Sequence, residues 1–319
     1  TKPVSKADTG PFWWGVASSS FQNEDRGEKA GSPNHFQTDW DLFAEAGRVP
    51  PKGDNAVFSW SHFDRDVEAL KKIGVNHYRF GVEWARIEPE PGRYNEAALR
   101  RYVEMARKLK AAGIEPIVTL WHFTFPSWMV AKGWNSRWLH PLYRERWPAY
   151  VTKVVKAMAP HVRTFAPQNE PNGDLALGYI SATWPPGYLL SFGTHAAALE
   201  ESVCGFRKAA EIVRAHRKDA LILSIAAMPY WEHGLFDPTG AYYNLMQRIN
   251  YTQLDKTFDV CDLIGFNYYY TEYPDFTALL ALKARRGRNY SLLGWIIQPR
   301  SLSKQIRPVQ KRYTRPSVV

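Results

Sequence analysis

Six short apolar runs in this chain are each followed by a longer run with helical periodicity, and a seventh apolar run stands at Pro316-Ser317-Val318-Val319. The six runs are Phe12–Ala17, Val75–Phe80, Ile114–Trp121, Thr164–Asn169, Ala220–Ile225 and Asp262–Asn267. Strands separated by helices pair in parallel through helical crossovers, which places the chain in the α/β class. No G-x-G-x-x-G follows the first strand and no P-loop is present, so a doubly wound nucleotide-binding sheet loses its main support. That many strand–helix units without a phosphate turn predict a (β/α)₈ barrel of the TIM type. Closure takes eight strands; about six and a half units are present, so an incomplete barrel without its closing strands is expected.

The periodicity fixes several helices. Phe63, Val67 and Leu70 share one face of a helix over Phe63–Lys72 that Gly74 stops. Asn95 caps a helix with Leu99, Val103, Ala106 and Leu109 on one face, ending at Gly113. Further helices are predicted near 141–158, 192–216, 242–254 and 300–312. Gly and Pro are dispersed and there is no low-complexity tract or internal repeat. Residues 1–319 are therefore read as one barrel domain, and 45% hydrophobic residues suffice for a large core.

The net charge of +10 is local. Between Phe276 and Val319 there are ten basic residues and no acidic ones, which leaves the rest of the chain balanced. A basic surface for nucleic acid or anionic lipid is one reading. Interleaving with Leu302, Ile306 and Val309 at helical spacing favours the other, an end that packs against more acidic chain. Cys204 and Cys261 lie in apolar runs and read as two buried free thiols, and nothing near them suggests a zinc site. No apolar stretch is long enough for a membrane span. Thr1-Lys2-Pro3-Val4-Ser5-Lys6 lacks the apolar centre of a signal peptide, which favours a cytoplasmic location and leaves a processed N-terminus open.

Chemistry in a barrel sits at the C-terminal ends of its strands. Here those ends are polar and aromatic: Gln22-Asn23-Glu24 after the first, Arg79 and Glu83 on and after the second, and Trp121-His122-Phe123 after the third. Gln168-Asn169-Glu170-Pro171 ends the fourth and Asn267-Tyr268-Tyr269-Tyr270 the sixth. Amide, imidazole, guanidinium and phenol groups among aromatic walls suit a sugar, whose hydroxyls take bidentate polar partners and whose C–H faces take aromatic platforms. Any one of these residues alone is more often a packing or satisfied structural group; five successive strand ends together indicate a site.

The motifs resemble those of family 1 glycoside hydrolases. Phe12-Trp13-Trp14-Gly15-Val16-Ala17-Ser18-Ser19-Ser20-Phe21-Gln22 is similar to the family's opening strand, and Tyr78-Arg79-Phe80 through Glu83-Trp84-Ala85-Arg86-Ile87 to its second. Thr119-Leu120-Trp121-His122-Phe123 resembles the third, Asn169-Glu170-Pro171-Asn172 the acid/base motif, and Gly265-Phe266-Asn267-Tyr268-Tyr269 the sixth. Asn172 and Trp184-Pro185-Pro186-Gly187 are closest to the broad-specificity archaeal and bacterial β-glycosidases. The resemblance implies a retaining β-glucosidase or β-galactosidase that needs no cofactor or metal. Glu170 would be the general acid/base and Asn169 would hold the sugar 2-hydroxyl. Gln22 and His122 would bind the 3- and 4-hydroxyls, with Trp121 as support. Arg79, Asn267 and Tyr269 would surround the nucleophile. A retaining mechanism uses two carboxyls about 5 Å apart, one protonated and one ionised.

The resemblance also marks departures. The family's nucleophile glutamate follows the seventh strand in a Thr-Glu-Asn-Gly motif, and Arg315-Pro316-Ser317-Val318-Val319 resembles the strand leading into it. The nucleophile is therefore expected to be absent from these 319 residues and the chain alone to be weakly active or inactive. Gln168 stands where the family usually has an apolar residue. Glu83 replaces a small residue; it reads either as a substitute carboxylate or, more blandly, as the partner of Arg79 or Arg86 in a structural ion pair. A non-catalytic carbohydrate-binding protein on the same scaffold is the main rival. A basic nucleic-acid-binding protein has no motif in its favour. Open strand edges recruit other strands, so self-association is expected.

Overall fold

The computed structural model describes residues 12–26, 35–50, 57–130, 136–232, 237, 239–272, 291, 295 and 297–319. The strands are β1 (Gly15–Ala17), β2 (His77–Gly81), β3 (Glu115–Thr119), β4 (Thr164–Ala166), β5 (Leu221–Ala227), β6 (Tyr230–Trp231), β7 (Leu263–Asn267), β8 (Thr271–Glu272) and β9 (Ser317–Val318). Seven of them form one parallel sheet in the order β1-β2-β3-β4-β5-β7-β9. The architecture is the incomplete barrel that the strand–helix alternation predicts, with β1 and β9 as edges. The short pair β6–β8 extends the strand ends at β5 and β7 and has no counterpart in the sequence reading.

Alternation along the strands sorts the core into two layers. Leu221, Leu223 and Ile225 of β5 join Ile117, Ala166 and Leu263 inside the curve of the sheet, with Trp13 and Val318 packed against them. Ile222 and Ala226, on the other face of β5, belong to the larger cluster beneath the helices. Between the two edges lies a cavity of about 330 Å³, lined by Trp13, Gly15, Arg79, Ile225, Asn267 and Val318 among others. The chain on and just before β1 is bare: Phe12 is 72%, Trp14 66% and Val16 40% exposed.

The helices follow the sequence closely: Phe63–Ile73, Glu96–Ala111, Tyr143–Met158, Phe192–His216, Ala241–Asp255 and Arg300–Tyr313. Asn95 accepts from the Ala98 amide, and Gly74 ends the first of these helices with φ 73°. The last helix turns Val309 and Tyr313 inward and carries Arg300, Lys304, Arg307 and Lys311 on its exposed side. Residues 273–290, which hold four of the basic side chains counted above, lie outside the described residues. Both cysteines are free, as read, but only Cys261 is buried. Cys204 is exposed, because it sits on the outward face of the Phe192–His216 helix.

Two helices meet without room to spare at Gly205. A Cβ there would overlap the Tyr143 hydroxyl and lie 3.1 Å from Tyr143 Cζ and 3.2 Å from Trp147 Nε1. Tyr143 and Trp147 are both buried, and Trp147 donates to the Gly205 carbonyl at 2.8 Å. Gly→Ala inside a helix normally stabilises by about 1 kcal/mol. Overpacking here is expected to reverse the sign and cost Gly205→Ala about 1–3 kcal/mol. Urea denaturation of the variant measures this; an unchanged or higher midpoint would contradict the packing argument.

Candidate active site

Because the strands are parallel, their C-terminal ends open onto one rim. Arg79 lies on β2, Trp121 and His122 just past β3, and Asn169 and Glu170 just past β4. Asn267 ends β7, with Tyr269 two residues on, and Gln22 lies on the short helix Ser20–Asn23 after β1. The expected residues are thus placed by five different strands.

Glu170 is 4% exposed and its backbone is left-handed, φ 47° and ψ 47°. Its amide donates to the Ile225 carbonyl of β5 at 2.7 Å, and helix Pro171–Tyr179 starts at the next residue. Left-handed backbone at a residue with a side chain costs about 1–3 kcal/mol and persists where the surroundings dictate it. Glu170 Oε1 accepts from both Asn267 Nδ2 and the Tyr269 hydroxyl. Burial raises the Glu170 carboxyl above its ordinary range, while the two donors and the Arg79 charge pull it back. The expectation was that Asn267 and Tyr269 stand beside a second carboxylate. Among the described residues Glu170 is the carboxylate within their reach, and both close on it.

Arg79 donates to Asn169 Oδ1 at 2.8 Å and lies 3.4 Å from Thr119 Oγ1. Asn169 is 1% exposed, and its Nδ2 has no partner among the described residues. His122 Nδ1 and Trp121 Nε1 are likewise buried and unpartnered. Burial, with the Arg79 charge adding to it, holds the His122 imidazole well below its ordinary range, so it is neutral near pH 7. Gln22 sits on the rim but is exposed, with its amide oxygen turned back to Ser19 Oγ at 2.7 Å.

The ion-pair reading of Glu83 is corrected by the structure. Glu83 is 1% exposed and accepts from Thr124 Oγ1 at 3.0 Å, Ser20 Oγ at 3.2 Å and the Ala85 amide at 3.2 Å. Arg86 instead pairs with Glu24 at 3.2 Å, and Arg79 turns to Asn169. Hydroxyls and a helix-start amide satisfy Glu83 without a cation, and burial raises its carboxyl. Gln168 also has a local explanation: its Nε2 donates to the Ser202 carbonyl and its Oε1 accepts from Ser202 Oγ, both at 2.9 Å.

Sequence reasoning missed a buried ionic knot beneath this rim. Arg137 meets Asp39 at 2.8 Å and Asp174 at 2.6 Å, and all three are at most 2% exposed. Aromatic rings pack outward from His122 beside it: Phe123 at 4.8 Å, then Trp184 at 4.7 Å and Trp40 at 5.1 Å. Trp184 had been noted only as part of a motif. Asp39, Arg137 and Asp174 carry no local signal, because their pairing spans separate loops.

One guanidinium between two carboxylates leaves Asp39 raised to about 7, chiefly by burial, with Arg137 opposing and Asp174 and Glu83 adding to it. The folded state then binds this proton far more tightly than the unfolded chain, whose value is near 3.8. The associated stability is present in full below about pH 4 and is lost as pH rises through about 7. Asp39→Asn is expected to flatten the fall in stability between these limits. Urea midpoints measured from pH 4.5 to 8 check this; identical slopes in the two proteins would contradict it.

Among the described residues no group of three or more His, Cys, Asp or Glu is arranged to hold a metal ion, and no helix is long and apolar enough to cross a membrane.

Comparison with known proteins bears on the family and the fold. The chain is 24% identical over 360 aligned positions to β-glucosidase A of Thermotoga maritima, covering 96% of this chain and 76% of that protein. It is 31% identical over 181 residues to β-glucosidase 47 of Arabidopsis thaliana, a match that covers 55% of this chain and 33% of the plant protein. In structure it resembles the Thermotoga maritima β-glucosidase in complex with glucoimidazole, with a TM-score of 0.80 at 22% identity over 96% of this chain and 76% of that one. A β-glycosidase from Pyrococcus horikoshii gives a TM-score of 0.78 at 25% identity, over 96% and 74% of the two chains. Residues 6–233 match glycosyl hydrolase family 1, and the chain belongs to that family.

Proposed function

We propose that this rim is the sugar-binding and proton-donating half of a retaining β-glycosidase site acting on β-glucosides or β-galactosides. The observation that carries the reading is a buried, raised carboxyl on Glu170 beside two unspent buried groups, Asn169 Nδ2 and His122 Nδ1. A carboxyl that burial raises above its ordinary range is suited to protonating a departing glycosidic oxygen. The unspent groups are satisfied when sugar hydroxyls take their place beside them, Asn169 toward the 2-hydroxyl and His122, with Gln22, toward the 3- and 4-hydroxyls. Trp121 backs His122. Arg79, Asn267 and Tyr269 supply the positive and donor groups that a second carboxylate needs. One seven-stranded sheet runs through residues 15–318, which supports a single barrel domain.

A second reading has an observation of its own. Among the described residues no carboxylate other than Glu170 hydrogen-bonds to Arg79, Asn267 or Tyr269, which favours a sugar binder with little turnover. Calorimetric titration with glucoimidazole tests the shared part. Binding by the chain that weakens in Asn169→Ala and Glu170→Gln is expected; binding indifferent to both would remove the site from this rim.

The unpaired edges β1 and β9, with bare Phe12, Trp14 and Val16, support self-association of the chain. Light scattering on the eluting protein should give a mass above 36.6 kDa, and Trp14→Lys should return it to the monomer value. A monomer at all concentrations would contradict this.

A further inference from the structure

We propose that Arg137 is a positioning residue for the candidate site, its guanidinium locking the loops after β1, β3 and β4 together so that Glu170 is held in its buried, left-handed conformation. The inference rests on the reading of Glu170 as the proton donor.

The contacts show how far the lock reaches. Nε of Arg137 faces Asp39 at the start of helix Asp39–Glu45, after β1. Asp39 in turn accepts from the Phe125 amide at 2.8 Å. Nη2 donates to the Phe123 carbonyl at 2.9 Å, directly after His122, and to Asp174 Oδ1 at 2.6 Å. Nη1 donates to the Pro185 carbonyl. Asp174 is fixed again by Trp138 Nε1 at 2.9 Å. Its amide, and that of Gly173, donate to the Glu170 carbonyl at 3.1 and 3.0 Å, so the lock ends on the acid itself.

A planar fork can hydrogen-bond one carboxylate and two carbonyls while its charge faces a second carboxylate without hydrogen-bond alignment, as here with Asp39, whereas a single ammonium cannot. Arg137 therefore fixes geometry as well as charge, and the two can be separated. The groups that face Glu170 are Arg79 from β2 and Tyr269 and Asn267 from the end of β7; Asp174 and Gly173 lie on its own helix. Arg137→Lys keeps the cation, so the field at Glu170 is preserved while the fork is lost. If the fork positions Glu170, the loosened helix admits water and the carboxyl moves down toward its ordinary range.

The experiment follows the Glu170 carboxyl by NMR titration of the ¹³C-glutamate-labelled chain, assigned with Glu170→Gln. Arg137→Lys is expected to lower the midpoint, with thermal melting confirming a folded protein. Asp174→Asn is the second variant, since it leaves the Arg137–Asp39 pair in place. It is expected to speed exchange of the backbone amides at positions 173 and 174 several-fold without changing exchange in Glu96–Ala111. An unchanged Glu170 midpoint in Arg137→Lys, or an upward shift, overturns the proposal; so does unchanged exchange in Asp174→Asn. These readouts need no sugar. Failure of glucoimidazole binding to depend on Glu170 would remove the acid reading while leaving the lock itself tested.

Discussion

Hydrolysis of aryl β-glucosides by the 319-residue chain is expected to be barely above background, and Glu170→Gln to change it little. The retaining route needs a second carboxylate about 5 Å from the acid, to attack the anomeric carbon and stabilise the oxocarbenium-like transition state. Among the described residues Arg79, Asn267 and Tyr269 contact no such group besides Glu170. A general acid acting without such a partner has little to assist. Joined to the C-terminal segment of Thermotoga maritima β-glucosidase A that follows the aligned region, the chain is expected to gain turnover. In that fusion Glu170→Gln should then lower kcat by about 10²–10⁴-fold, the range for a general acid. Glu83 is the alternative to exclude. Brisk turnover by the short chain that disappears in Glu83→Ala would make Glu83 the nucleophile and overturn this view. Its bonds to Thr124, Ser20 and Ala85 speak for a structural role.

Arg137→Met should be the most destabilising single substitution beneath the site. It leaves Asp39 and Asp174 buried without a counter-charge, and breaking a buried pair by removing one partner costs about 3–5 kcal/mol. The loss should be larger at pH 8 than at pH 5, because without the opposing Arg137 charge the Asp39 carboxyl rises further above about 7, and the folded variant at pH 8 must hold a proton that the unfolded chain has released. Adding Asp39→Asn and Asp174→Asn removes both stranded charges and should recover part of the loss. Urea denaturation at the two pH values measures both effects. A loss under about 1 kcal/mol, the scale of an exposed pair, would show that water reaches the knot.

Much of the fold was legible because its signals are local. The helix bounds at Phe192–His216 and Arg300–Tyr313 fall within a residue of the periodicity. Strand β4 is shorter than read, Thr164–Ala166 instead of Thr164–Asn169, because the chain turns into the rim where the chemistry begins. Helix Pro171–Tyr179 was missed: it is small and apolar on several faces and shows no amphipathic period. The rim residues were legible because parallel topology sends every strand end to one side. The knot was not, since nothing near Arg137 in sequence announces that its partners lie after β1 and β4. The same holds for Glu83, whose neighbours in space are hydroxyls and not the arginines nearest in sequence.

The backbone of Glu170 has a consequence for how such a site is maintained. A residue before proline normally stays extended, yet this one is left-handed, a conformation glycine adopts without a steric penalty. By stability alone a glycine belongs at position 170, and Glu170→Gly should free the strain even as it deletes the carboxyl. The strain at this position is thus carried by a side chain that glycine cannot supply, one whose carboxyl is buried against Asn267 and Tyr269.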